Sequence, residues 1–165
     1  NSACEYSFYW IDPETGILLK CRPDILNLVE MKMADYKTMG QKCDKKVFQN
    51  VMAEKGYYIQ EAFYLDGVNI ILGTNIGSED YNFFCQEIKA PYETRMFDID
   101  YMSVEEGRDF YKRALRLLKR YFESGKTMWT GYPQKSETVS LPAWKIKSVL
   151  ELDESLSGED SKEAA

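Results

Sequence analysis

Three side chains near the start of the sequence have the types and spacing of metal-assisted hydrolysis. They are Asp24 in Cys-Arg-Pro-Asp, and Asp35 and Lys37 in Met-Ala-Asp-Tyr-Lys-Thr. Eleven positions separate the two aspartates, enough for the chain to leave one strand and traverse its neighbour, so a hairpin can set the carboxylates side by side. Adjacent carboxylates repel each other, and they stay ionised together most easily around a divalent cation. Mg²⁺, with Mn²⁺ as its substitute, suits such hard oxygens when water and a backbone carbonyl, here that of Tyr36, complete the set. Lys37 shares the face of Asp35 because strand side chains alternate with period two. There it can orient an attacking water and stabilise charge on a phosphate. On the helix expected next, Tyr57, Gln60 and Tyr64 stand at i, i+3 and i+7, and Gln60 and Tyr64 can hydrogen-bond a metal ligand, a water or a phosphate. Each residue also has a plainer reading. Asp24 after Pro23 suits a turn, Asp35 and Lys37 suit an exposed strand pair, and the tyrosines suit a core-packed helix face.

The elements that must position these groups can be read from pattern and punctuation. Glu5–Trp10 and Ile17–Arg22 flank Asp-Pro-Glu-Thr-Gly, which is turn chemistry, and predict a β-hairpin with Asp24 at the end of its second strand. A third strand is predicted over Leu28–Lys37, with Val29, Met31, Met33, Asp35 and Lys37 on one face. Asp44 is placed to cap a helix running to Lys55, and Gly56 to stop it. A second helix should run from Tyr57 through Tyr64 toward Leu72, with Gly67 as its weak point. Asn82–Ile88 and Thr94–Tyr101 read as strands joined across Ala90-Pro91-Tyr92. Ser103 and Glu106 form a capping box for a helix to about Phe122, with Phe110, Ala114, Leu117, Leu118 and Tyr121 as its apolar stripe. The order β-β-β-α-α-β-β-α predicts an α/β (α+β) fold, a sheet with helices packed on it. Residues 1–150 read as one core, with Leu141-Pro142-Ala143-Trp144 as an aromatic anchor and 151–165 as an acidic, disordered tail.

Composition removes several chemistries. The 165 residues include no histidine, which excludes Ser-His-Asp triads, Cys-His pairs and His-ligated zinc. Cys4, Cys21, Cys43 and Cys85 are scattered without a CxxC pair, which fits reduced thiols in a cytoplasm. No run is long and apolar enough for a membrane span, so no membrane partner is expected. The net charge of −6 is concentrated at the end, where residues 151–165 hold six acids and one base. The remainder is nearly neutral, and bulk charge decides nothing about DNA.

The motifs together carry a family resemblance. Glu-Thr-Gly-Ile-Leu-Leu-Lys-Cys-Arg-Pro-Asp at 14–24 resembles the first motif of RecE-like (exonuclease VIII type) nucleases, and Ala-Asp-Tyr-Lys-Thr at 34–38 their second. Gly-Tyr-Tyr-Ile-Gln-Glu-Ala-Phe-Tyr-Leu-Asp-Gly at 56–67 is similar to their glutamine/tyrosine helix. Phe-Cys-Gln-Glu-Ile-Lys-Ala-Pro-Tyr at 84–92 and Leu-Pro-Ala-Trp at 141–144 also fit, the former especially phage-borne members. The resemblance implies the PD-(D/E)xK fold with a central mixed sheet flanked by helices. It further implies Mg²⁺-dependent 5′-to-3′ digestion of linear double-stranded DNA, a ring-like homo-oligomer, and a single-strand-annealing recombinase (RecT-like) as partner. Carried over by position, Asp24 and Asp35 would be metal ligands, Lys37 catalytic, and Gln60 and Tyr64 supporting. Family members also carry helices before the first hairpin with a further metal ligand. This sequence begins almost at the hairpin, as a fragment would, and Glu5 is the candidate acidic substitute, weighed against a strand-surface glutamate.

Other candidates stay open on sequence alone. Arg22 suits a phosphate contact or a structural salt bridge, and Arg113, Arg116 and Arg120 suit a DNA backbone track or a solvated face. Glu87 suits the site or strand packing, and Tyr9 and Trp10 read as core or interface. Against the exonuclease stand two alternatives, an endonuclease on the same fold and a catalytically incomplete DNA-binding or oligomerisation module.

Overall fold

A computed structural model of the chain describes residues 2–125, 131–132 and 135–145. The chain divides into two units, Asn1–Lys126 and Thr127–Ala165, and the first carries every element described below. In the second, Leu141 and Trp144 are largely exposed, and the Lys145 N–H donates to the Pro142 carbonyl. The tail expected at 151–165 lies outside the described residues, as does the core boundary expected near residue 150.

Among the described residues, seven strands and three α-helices follow in the order β1 (Ser2–Cys4), β2 (Phe8–Ile11), β3 (Leu18–Cys21), β4 (Ile25–Asn27), β5 (Lys32–Met39), α1 (Lys45–Lys55), α2 (Tyr57–Leu72), β6 (Tyr81–Glu87), β7 (Thr94–Phe97) and α3 (Tyr101–Glu123), with a short 3-10 turn at Ser78–Asp80 before β6. The central sheet is ordered β1-β4-β5-β6-β7. Only β5 and β6 pair in parallel, across the connection that holds α1 and α2, so the sheet is mixed. The α+β class expected from the element order is what the structure has.

The predicted hairpin forms, but as a separate two-stranded sheet of β2 and β3. Its turn is held by the Asp12 carboxylate, which accepts from the Thr15 N–H at 2.7 Å and the Thr15 hydroxyl at 2.6 Å. Gly16 then takes φ 74°, a left-handed conformation that costs glycine little. Helices α1 and α2 abut at Gly56, itself left-handed at φ 70°. The Asp44 side chain caps α1 as expected, accepting from the Val47 N–H at 2.9 Å. Aromatic packing ties the helices to the sheet. Phe48 stacks on Phe97 at 4.2 Å between centroids, and Tyr57 on Phe83 at 5.5 Å.

Four local expectations are corrected. The strand predicted over Leu28–Lys37 begins only at Lys32, and a turn at 28–31 joins it to β4. The Asn27 side chain accepts from the N–H groups of Val29 and Glu30, folding 28–31 into a turn, and Met31 takes φ 54°. Gly67 does not weaken α2. Trp10 of β2 lies so close that a Cβ there would sit 2.5 Å from its ring, so the glycine admits the hairpin to the core. Helix α3 starts at Tyr101, cutting short the strand expected to reach it. Its cap is Asp100 rather than Ser103, because the aspartate carboxylate accepts from both the Ser103 N–H and hydroxyl. Finally, the apolar stripe drawn on α3 is displaced. Phe110 and Leu117 are each 51% exposed, while Val104, Gly107 and Tyr111 face α2.

Gly107 explains that displacement. A Cβ at this position would overlap the Tyr58 carbonyl oxygen and lie 2.7 Å from its carbon. The close approach of α3 to α2 therefore needs glycine, and apolar periodicity cannot see it. Gly107→Ala should lower stability by about 1–3 kcal/mol, the usual cost of overpacking against atoms that cannot yield. Urea denaturation of the pure variant checks this, and an unchanged midpoint would contradict it.

Candidate active site

The β4–β5 hairpin builds the site. Its register pairs Ile25 with Ala34, Leu26 with Met33 and Asn27 with Lys32. One step outward along the same antiparallel register sets Asp24 opposite Asp35. Asp24 therefore lies just before β4 rather than at the end of β3, and the juxtaposition expected from sequence is realised through the next hairpin. The Tyr36 N–H donates to Asp24 Oδ2 at 2.8 Å, which anchors that carboxylate to the neighbouring strand.

Asp35 is 3% exposed and meets two groups. Lys37 Nζ lies 2.5 Å from its Oδ2, and Gln60 Nε2 donates to its Oδ1 at 2.5 Å. Lys37 also donates to Gln60 Oε1 at 2.9 Å, so the amide bridges both charged groups. The ammonium stands 4.5 Å from the centroid of the Tyr57 ring, a cation–π contact that fixes it from the other side. Burial pushes the Asp35 pKa up and Asp24 adds to the rise, against the pull of Lys37 and Gln60. No hydrogen bond of regular geometry reaches Asp35 Oδ2. A buried acid with one oxygen held only by an ion pair, facing a second carboxylate, is a site that a cation would stabilise.

Tyr64 completes the cluster from α2. Burial, then the charges of Asp35, Cys21 and Asp24, raise its pKa, and its hydroxyl meets the backbone of Arg22. It stays a neutral O–H group at ordinary pH. Gln60→Ala removes the bridge between Asp35 and Lys37 and should lower turnover by about 10- to 100-fold, the usual scale for groups that orient metal ligands. A single-turnover assay reads this, and wild-type rates in the variant would dismiss the bridging role.

The remaining candidates fall elsewhere. The Tyr36 ring points away from Asp35, stacks on Phe84 at 5.8 Å and donates its hydroxyl to Gln86 at 2.5 Å. Arg22 pairs loosely with Glu5 at 3.8 Å, both well exposed. Glu5 is on a bend rather than a strand, with φ 49°, and its N–H donates to the Asp24 carbonyl. Glu87 is buried and accepts the Cys43 N–H at 2.9 Å, which anchors the approach to α1. Trp10 is core and Tyr9 is 54% exposed. Arg113 pairs with Glu106, and Arg116 with Glu14.

Two features are not anticipated by the sequence. Glu61 is fully buried with neither carboxylate oxygen hydrogen-bonded. Asp66 receives Arg108 Nε at 2.9 Å and the Tyr111 hydroxyl, locking α2 to α3 behind the site. A signal for Glu61 does exist, since it falls on the stripe of Leu65 and Val68 that faces inward. Among the described residues no group of three or more His, Cys, Asp or Glu could hold a metal ion, so the candidate centre rests on two carboxylates. No helix among them is long and apolar enough to cross a membrane.

Comparison with known proteins bears on the fold. A family described as "PDDEXK-like domain of unknown function (DUF3799)" matches residues 4–137. No curated protein matches. The crystal structure of a "Putative exonuclease" from Eubacterium rectale superposes with a TM-score of 0.59 at 14% identity. The superposition covers 87% of this chain and 56% of that one, so this chain spans little more than half the length of its structural relative. At that identity the likeness is one of fold.

Proposed function

The chain belongs to the PDDEXK-like family, and from that premise we propose that it is a Mg²⁺-dependent exodeoxyribonuclease. It would degrade linear double-stranded DNA from its ends, 5′ to 3′, and expose single strands for recombination. The observation that carries the reading is the convergence of Asp24, Asp35 and Lys37 on one hairpin around the Gln60 amide.

Magnesium fits the donors present. Two carboxylates supplemented by water and a backbone carbonyl, that of Tyr36, make a hard-oxygen set, whereas zinc would want nitrogen or sulfur. Mn²⁺ should replace it. Bound between Asp24 and Asp35, the ion would acidify a water and polarise the scissile phosphate. Lys37 then has two tasks. Its ammonium, steadied by Tyr57 and Gln60, offers protons to a phosphate oxygen and offsets the charge that builds there. Gln60 holds Asp35 Oδ1 in a fixed orientation, and Tyr64, kept protonated by burial, offers a hydroxyl to water or phosphate.

The RecE-like resemblance extends this reading to a homo-oligomeric ring and to a RecT-like annealing recombinase as partner, in the cytoplasm of a bacterium or an infected host. Incubation with 5′-labelled linear duplex beside the matching closed circle tests the central part. Loss of the linear form alone supports an exonuclease. Cleavage of the circle would make it an endonuclease, and survival of both in Mg²⁺ would leave a binding module.

A further inference from the structure

The second half of α3 turns its cations to one side. Arg113, Arg116, Lys119 and Arg120, with Leu117, line an open groove of about 630 Å³. Two of these cations already meet Glu14. Arg116 Nη1 lies 3.2 Å from both carboxylate oxygens of Glu14, in the β2–β3 turn, and Lys119 Nζ donates to the Glu14 carbonyl at 3.4 Å. Arg113 is only loosely engaged, at 3.7 Å from Glu106. Among the described residues, Arg120 has no side-chain partner.

We propose that this groove binds the phosphodiester backbone of DNA, and that Arg116 exchanges its Glu14 partner for a phosphate when it does. The inference rests on the nuclease reading and adds where a strand is held. Three physical points carry it. The donors are mostly guanidinium groups, whose fork suits phosphate oxygens as well as carboxylate oxygens. The Arg116–Glu14 pair is about half exposed on both sides, and such pairs contribute little, so exchange is cheap. A DNA strand brings several phosphates and releases condensed counterions, a gain that one tethered carboxylate cannot match. The turn that presents Glu14 feeds β3, and the chain then reaches Asp24, so the hairpin links groove and site along the sequence.

The test is fluorescence anisotropy of a short labelled duplex in EDTA, titrated with salt. Wild type is compared with Arg116→Ala/Arg120→Ala, with Glu14→Gln, and with Lys55→Ala as a control for loss of one remote charge. The double variant should bind on the order of tenfold more weakly at low salt, with a salt slope smaller by about 2, one for each phosphate that is no longer neutralised. Glu14→Gln should tighten binding several-fold, and Lys55→Ala should match wild type. All substituted side chains are exposed, and circular dichroism verifies folding. If both groove variants bind as wild type does, the groove assignment is overturned, while cleavage by the same preparation in Mg²⁺ leaves the nuclease reading intact. Groove-dependent binding without cleavage would support the groove and overturn the nuclease. Absence of both binding and cleavage in wild type would overturn the two together.

Discussion

Asp35→Asn should abolish Mg²⁺-dependent cleavage, with a loss on the order of 10³-fold or more, and leave the protein folded. The loss follows from removing one of two carboxylates that can hold the ion, beside the Lys37 ammonium that steadies the reacting phosphate. The fold should survive because burying the charge already costs the wild type, as the raised pKa of Asp35 records. Its folded-state pKa lies above the unfolded value, so the unfolded chain releases the proton first. Stability from this group is therefore present at low pH and is lost as pH rises through the folded pKa. Asparagine carries no charge to bury, although its one oxygen cannot accept from both Gln60 Nε2 and Lys37. Thermal melts beside single-turnover cleavage read both outcomes. A variant that cleaves normally, or one that unfolds, would contradict them. Lys37→Ala should lower cleavage comparably while leaving metal binding in place.

Glu61 carries the second large effect. Burial, reinforced by Asp98 and Asp100 and opposed by Arg108, pushes its pKa up to about 9 from an ordinary 4.5. The folded protein holds this proton across a range where the unfolded chain has lost it, so stability declines from about pH 4.5 to about pH 9. Glu61→Gln removes the titration. It should match wild type near pH 4.5 and exceed it at pH 8 by a few kcal/mol, of order 1.4 kcal/mol per pH unit at most. Glu61→Met should exceed it too, because it leaves no buried polar atom unpaired. Denaturant midpoints across that range measure the difference. Parallel pH profiles for wild type and Glu61→Gln would show that Glu61 is ionised and solvated by some other arrangement.

What the sequence discloses and what it hides divide along physical lines. Asp35 and Lys37 share a face because strand period is two, and that arithmetic needs no tertiary knowledge. Asp24 is expected beside Asp35 and stands opposite it, although the hairpin responsible is β4–β5. The difference arises because Leu28, Val29 and Met31 read as strand, whereas the turn is made by the Asn27 side chain, a local hydrogen bond that hydropathy does not register. Helix α1 is legible from its punctuation, Asp44 and Gly56. The inward face of α3 is not, since it is set by Gly107 meeting the α2 backbone and by Arg108 half-buried against Asp66, neither of them apolar. Glu61 escapes notice because a glutamate in a helix is normally solvated, and only packing makes it an exception.

In the proposed function, Asp24 and Asp35 would hold the metal of a phosphodiesterase site. The most direct measurement is cleavage of a labelled linear duplex by wild type, Asp24→Asn and Asp35→Asn, each in Mg²⁺ and in EDTA. The expected result is cleavage by wild type in Mg²⁺ alone, with silence in EDTA and in both variants. Cleavage that persists in EDTA, or in either variant at the wild-type rate, would contradict it.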